Sequence, residues 1–85
     1  MPKVRNREVV LGRIEALRRQ AAATRATCQQ APQLDARASE VIETLREARS
    51  WLEASPQTPP ELVTHVARMV DGASNRLFAL VRMIP

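Results

Sequence analysis

Three stretches of the 85-residue chain carry the same pattern, in which apolar residues recur at alternating spacings of four and three. Such spacing keeps the apolar residues on one side of an α-helix along its whole length. The three stripes are Val10, Ile14, Leu17, Ala21, Thr24 and Cys28; then Leu34, Ala38, Val41, Leu45, Ala48 and Leu52; then Val63, Val66, Val70, Ala73, Leu77, Leu80 and Ile84. Each stripe needs a partner to bury it, and three can close around one core. The pattern therefore predicts an all-α protein, an antiparallel up-down-up three-helix bundle with coiled-coil-like packing.

Two breaks that contain proline separate the stripes. Pro32 ends the first break, and proline fits the first turn of a helix while disfavouring helix at the residue before it. The second break, residues 55–61, contains three prolines. Breaks this short make consecutive helices antiparallel neighbours. Two alternatives stay open: one helix kinked at Pro32, and a long hairpin completed by a helix from another molecule.

Capping residues set the expected bounds of the helices. Thr58 and Glu61 have the spacing of a capping box, with Pro59 at the first helical position. Asn6 is a candidate N-cap for the first helix. We therefore predict helices over residues 6–30, 33–54 and 59–84 and a basic arm over 1–5, all in one domain over 1–85. No stretch approaches the roughly 18 apolar residues that a membrane span needs.

The core of such a short chain is expected to be small. Although 45% of the residues are hydrophobic, 13 residues are alanine, and the only aromatic residues are Trp51 and Phe78. A core of this size contributes only about 3–5 kcal/mol net. Self-association into a homodimer would add burial, so it belongs among the hypotheses.

The third stripe is richer in large side chains than the part of helix 1 that should face it. Beyond Leu17, helix 1 offers only alanines and Cys28 as apolar residues, whereas the end of helix 3 carries six large ones. Phe78 follows Leu77 and therefore points about 100° away from the stripe. We predict that helix 3 binds a protein partner or a second copy of the chain, unless Phe78 folds back over the bundle's end. The predicted contact residues are Leu77, Phe78, Val81 and Met83, with Trp51 at the other end.

The formal net charge of +4 is concentrated at the beginning of the chain. Residues 1–31 hold seven basic and two acidic side chains, while residues 32–58 hold three basic and five acidic ones. A second hypothesis is therefore an accessory protein that binds nucleic-acid phosphates. Its contact residues would be Lys3, Arg5, Arg7, Arg13, Arg18, Arg19 and Arg25. These residues share no single helix face, and helix 1 has no aromatic residue for stacking on bases. Alternatively, the arginines lie over the acidic second helix.

The stretch around Gly72 resembles the helix on which phosphorelay phosphotransfer domains present an acceptor histidine four residues before a glycine, with a lysine in between. Here Arg68 occupies the histidine's position and Asp71 the lysine's. A guanidinium cannot accept a phosphoryl group as an imidazole does, and an aspartate repels phosphate. Since His65 lies nearly one turn earlier, the resemblance implies no phosphotransfer activity.

The remaining candidates for chemistry are single residues. Cys28 falls on the apolar stripe and is expected to be a small buried residue, and one cysteine excludes an internal disulfide. His65 falls off its stripe, has only Glu61 nearby as a second metal ligand, and is expected to be solvated. The chain has no recognisable nucleophile set and no glycine-rich phosphate loop. We therefore expect a non-catalytic, cytoplasmic protein without metal, cofactor, small-molecule substrate or membrane partner.

Overall fold

Three α-helices make up the structure. The computed structural model describes residues 7–54 and 57–84, and within these ranges the chain contains no strand. Helix α1 spans Arg7–Ala26, α2 spans Pro32–Glu53 and α3 spans Pro60–Met83. Each helix packs against the other two around one hydrophobic core. The prediction of an all-helical bundle is therefore confirmed, and α1 and α2 are separate helices rather than one helix kinked at Pro32.

The predicted stripes form the core. Sixteen of their members are buried: Val10, Ile14, Leu17, Ala21, Cys28, Ala38, Val41, Leu45, Ala48, Leu52, Val63, Val66, Val70, Ala73, Leu77 and Leu80. Burial of a Val, Leu or Ile side chain contributes about 1.5–3 kcal/mol, so these contacts are the main source of stability. The other three members, Thr24, Leu34 and Ile84, lie near the ends of the bundle and are only partly buried.

Helix α3 buries a wider face than its predicted stripe. Ala67 and Ser74 are also buried, with 2% and 8% of their surface exposed. Ser74 lies beside Leu17 and Thr24 of α1, and Ala67 lies two turns before Ser74 on the same side of the helix. The buried face of α3 therefore extends beyond the predicted stripe on the side of α1.

Helix α1 ends at Ala26, four residues before the predicted end. The reason lies in the hydrogen bonds of the last turn. The backbone N–H groups of Thr27 and Cys28 donate to carbonyls three residues earlier, 3.0 and 2.9 Å away. The hydroxyl of Thr27 also donates to the Thr24 carbonyl at 2.7 Å. These bonds tighten the chain into a turn, and residues 27–31 connect α1 to α2 without further helix.

The predicted capping box at the start of α3 is wrong. The N-cap residue is Pro59, which has extended backbone and no capping side chain, and Pro60 takes the first helical position. The hydroxyl of Thr58 instead donates to the carbonyl of Leu52, 3.5 Å away. Helix α2 begins at Pro32, one residue earlier than predicted, after an N-cap alanine. Asn6, the predicted cap of α1, and the basic arm over 1–5 lie outside the described residues.

A candidate docking groove between the first and third helices

Five large apolar side chains are exposed among the described residues: Val9, Trp51, Phe78, Val81 and Met83. Phe78 is 66% exposed and Val81 is 48% exposed. The expectation that Phe78 points away from the core is confirmed, and this exposure contradicts the alternative that its ring folds back over the bundle's end. The exposure of Val9 was not predicted.

Phe78 and Val81 border a shallow groove of about 360 Å³ between α1 and α3. The groove is lined by Leu17, Gln20, Ala23, Thr24, Ser74, Leu77, Phe78 and Val81. The buried members of this set, Leu17, Ser74 and Leu77, form its floor. None of the lining residues is charged, so an apolar side chain can enter the groove without desolvating an ion.

The structure brings some of the predicted contact residues together and leaves others apart. Leu77 is only 4% exposed and belongs to the core, so it meets a partner only through the floor of the groove. Met83 borders a different depression, beside residues 31–34. Of the five predicted contact residues, only Phe78 and Val81 are therefore both exposed and on the groove.

Trp51 lies elsewhere, at the contact of α2 with the start of α3. Its indole ring packs edge-on against the ring of His65, with the centroids 6.1 Å apart and an interplanar angle of 69°. Sequence reasoning placed both residues off the core but did not pair them. His65 is exposed as expected, and so is Trp51, so this ring contact lies on the surface of the bundle.

Ion pairs on the helix surfaces account for most of the arginines predicted to bind nucleic acid. Arg13 pairs with Asp71 of α3 at one end of the groove. Arg25 pairs with Asp35 of α2, with 3.0 Å between nitrogen and oxygen. Arg18 and Arg19 both lie 3.9 Å from the carboxylate of Glu15 on their own helix. Lys3 and Arg5 lie outside the described residues.

The expectation that the helix 1 arginines lie over acidic α2 holds only in part. Arg25 makes that contact through Asp35, and Arg7 reaches α2 through the Leu52 carbonyl. In the opposite direction, Arg49 of α2 lies 3.7 Å from Glu15 of α1 and 2.8 Å from Glu53. The hydrogen bond to Glu53, and then the charges of Glu53 and Glu15, raise the pKa of the Arg49 guanidinium above its usual value.

Apart from Arg7, which donates to the Leu52 carbonyl, four arginines make no ion pair with the described residues: Arg37, Arg68, Arg76 and Arg82. None of these four belongs to the arginines that were predicted to bind nucleic acid. Arg37 and Arg76 border a depression of about 300 Å³ between α2 and α3, where Glu40 supplies an opposing charge. Arg68 and Arg82 lie on exposed positions of α3.

The remaining candidates from the sequence are the thiol of Cys28, a metal site and a membrane-spanning helix. Cys28 is buried, with 1% of its surface exposed, as the stripe predicted. Over residues 7–54 and 57–84, no three His, Cys, Asp or Glu side chains cluster in a way that would hold a metal ion. Within the same ranges, none of the helices combines the length and hydrophobicity that crossing a membrane requires.

In comparisons with known proteins, no protein-family model, curated protein or solved structure matches the chain.

The sequence placed Leu17 and Thr24 on the stripe of the first helix, but the part that Gln20 plays in the groove was not predicted. Gln20 and Thr24 lie seven and eleven residues after Arg13, so all three share one side of α1. Asp71, Ser74 and Phe78 follow each other along α3 in the same way. A search for a second heptad stripe beside the core stripe in each helix would have found both walls.

Proposed function

We propose that the chain is a non-catalytic protein-interaction module, and that its docking surface is the groove between α1 and α3 with Phe78 at its edge. The observation that carries the proposal is the exposure of Phe78, at 66%, beside a groove with no charged lining residue. An exposed aromatic ring next to an apolar depression is typical of a protein-binding surface.

The proposal includes the arrangement of the helices, an up-down-up bundle with coiled-coil-like packing. Three contacts support it. Arg7 at the start of α1 reaches Leu52 at the end of α2, 3.1 Å away. Arg25 at the end of α1 pairs with Asp35 at the start of α2. The groove joins the second half of α1 to the second half of α3.

The side chains of the groove suggest what kind of partner fits. Its α1 wall carries the small side chain of Ala23, and the exposed Ala16 lies two turns earlier on the same side of the helix. Small side chains allow the backbone of another helix to approach closely, and Phe78 provides a large ring for an apolar pocket or seam. The proposed partner therefore presents an amphipathic helix, supplied by another protein or by a second copy of this chain.

The absence of catalysis is part of the proposal. Two observations support it: the thiol of Cys28 is buried, and the ring of His65 packs on Trp51. The buried cysteine also accords with a reducing compartment, so we propose that the protein acts in the cytoplasm.

Phe78→Asp tests the docking surface. The side chain is exposed, so the variant should keep its helicity by circular dichroism while a charge replaces the ring at the contact. Tagged wild type and variant are compared as baits in a pull-down from the native host. The matched control is Val9→Asp, a similar change at another exposed apolar residue away from the groove. A partner retained equally by all three baits contradicts the proposal.

The nucleic-acid hypothesis remains the alternative. The predicted arginines of α1 stay accessible, since exposed ion pairs are weak, and Arg37, Arg68, Arg76 and Arg82 make no ion pair with the described residues. Phosphate-driven binding is strongest at low salt. Retention on immobilised duplex DNA at about 50 mM salt, lost at about 300 mM, would favour this alternative; no retention at the lower concentration removes it.

A further inference from the structure

The outer face of α3 carries a second stripe with helical spacing. Asp71, Asn75, Phe78 and Arg82 follow one another at spacings of four, three and four. Phe78, Asn75 and Arg82 are exposed, and the side chain of Asp71 is 44% exposed although it pairs with Arg13. The bundle leaves this stripe to solvent along the edge of the groove.

The stripe is self-complementary when two copies of it run in opposite directions. Its acidic residue stands at one end, its basic residue at the other, and its aromatic residue near the middle. When a two-fold axis passes between residues 76 and 77, position 71 of one copy faces position 82 of the other, and position 75 faces position 78. Asp71 and Arg82 are eleven residues apart, about 16 Å along a helix.

We propose that a second copy of this chain occupies the docking surface, as a two-fold dimer in which the α3 helices pair antiparallel through Asp71, Asn75, Phe78 and Arg82. The pairing forms two reciprocal ion pairs between Asp71 of one copy and Arg82 of the other. It places each Phe78 ring at the edge of the other copy's groove, over Asn75. The inference rests on the proposed function, because it names the partner of the same surface.

Three observations point to a second copy rather than to a different protein. The charges match in the antiparallel order, and Arg82 has no ion-pair partner among the described residues of its own chain. Asp71 already has partners, Arg13 among them, but the two oxygens of a carboxylate accept several hydrogen bonds, so a further guanidinium can join it. The groove floor at Ser74 and Leu77 lies beside the centre of symmetry between residues 76 and 77, so the grooves of both copies open near the middle of the contact.

The first test measures the oligomeric state of the purified chain by sedimentation velocity, at concentrations on the order of 10–100 µM, where weak dimers form. Wild type is expected to be a dimer. Arg82→Asp places aspartate opposite Asp71 in both pairs and should raise the dissociation constant about tenfold or more. The matched control is Arg76→Asp, the same charge change on the side of α3 that faces α2, which should leave the dimer intact.

A mixing experiment tests the antiparallel register. The second variant combines Arg13→Asp with Asp71→Arg, which reverses the internal ion pair without removing it. Alone, this variant sets arginine against Arg82 and should be monomeric. Mixed with the Arg82→Asp variant, it should form a heterodimer, because both reciprocal pairs then join opposite charges. Circular dichroism melts establish that each variant is folded before mixing.

The outcomes separate the inference from the proposed function. A monomeric wild type at 100 µM, or a dimer that Arg82→Asp leaves unchanged, or variants that stay monomeric when mixed, would overturn the antiparallel dimer. If the pure chain is a monomer while a host protein binds wild type and not Phe78→Asp, the second copy is wrong and the docking surface stands. A dimer that survives Phe78→Asp also overturns the antiparallel dimer, and the docking surface fails with it only if the Phe78→Asp bait retains every host partner of wild type.

Discussion

The guanidinium of Arg7, in the first turn of α1, donates its Nε–H to the backbone carbonyl of Leu52 in the last turn of α2, 3.1 Å away. The last four carbonyls of a helix have no partner within it, so the Leu52 oxygen needs an outside donor. The hydroxyl of Thr58 also donates to this oxygen, at 3.5 Å. One carbonyl therefore connects the start of α1, the end of α2 and the turn before α3.

Removal of this contact should destabilise the bundle. Arg7→Ala deletes a charged donor to a partly buried carbonyl, and a hydrogen bond of that kind contributes about 1.5–3 kcal/mol. Because Arg7 is itself partly exposed, we expect a loss of about 1 kcal/mol. In a domain of this size that corresponds to a fall in Tm of roughly 4–8 °C.

The matched control for Arg7 is Arg19→Ala on the same helix. The side chain of Arg19 is 81% exposed and its only described ion pair, to Glu15, is 3.9 Å long. Its removal should change the free energy of unfolding by less than about 0.5 kcal/mol. Equal effects of the two substitutions would show that helix propensity, and not the Leu52 carbonyl, determines the outcome.

Leu45→Ala should have the largest effect of any single truncation in α2. Leu45 is fully buried in the middle of the core. Leucine-to-alanine changes at such sites cost about 2–5 kcal/mol, which approaches the whole stability of a small domain. We expect a strongly lowered Tm by circular dichroism, or an unfolded chain. Met83→Ala, at an exposed residue, is the control and should leave Tm nearly unchanged; a well-folded Leu45→Ala protein would place the core elsewhere.

The core was predictable because the spacing of apolar residues along a helix determines which of them share a face and are buried together. Residues such as Ile14, Leu45 and Val70 repeat at spacings that only one face can hold, so their burial follows from the sequence alone. The buried Ser74 was not predictable in this way. Its burial depends on how α1 rotates against α3, which side-chain packing across the pair determines.

The errors at the helix ends have local causes. Two adjacent prolines, Pro59 and Pro60, both suit the first helical position, and the structure uses the second. That shift of one residue moves Thr58 out of capping position. At the end of α1, the hydroxyl and the backbone N–H of Thr27 both donate to the carbonyl of Thr24. The spacing of apolar residues does not reveal such a contact. The groove was half predicted: the exposure of Phe78 followed from its place off the stripe, whereas Gln20 is polar, lies off the predicted stripe and had no signal in a search for apolar residues.

The contact between Trp51 and His65 should be visible in fluorescence, because Trp51 is the only tryptophan. An edge-on aromatic pair contributes about 0.5–1.5 kcal/mol beyond the area that it buries. His65→Ala should uncover the indole, shift its emission to longer wavelength and increase its quenching by acrylamide. Thr64→Ala, at the neighbouring exposed residue, is the control. Unchanged quenching in His65→Ala would mean that the two rings do not touch in solution.

Cys28 provides a probe of how often the end of the bundle opens. The residue lies just beyond α1, where its N–H donates to the Arg25 carbonyl and its own carbonyl accepts from Ala31, both at 2.9 Å. Its thiol is buried, so a disulfide reagent that reacts with the thiolate reaches it only when this region opens. If the opening costs about 3 kcal/mol, labelling of the native protein should be roughly a hundredfold slower than in denaturant.

The comparison for Cys28 is a chain that carries Cys28→Ser and Ala26→Cys, which moves the thiol to an exposed residue at the end of α1. That thiol should react with a disulfide reagent nearly as fast in the native protein as in denaturant, since no opening is required.

The Arg7→Ala background distinguishes local from global opening, because Arg7 lies at the opposite end of α1. Cys28 should react faster in this background only if opening involves the whole bundle. An acceleration equal to the loss of global stability would therefore identify global unfolding, and no acceleration would identify local fraying of the 27–31 turn. Rapid labelling of native Cys28, at the rate of the Ala26→Cys control, would contradict the buried position of this thiol.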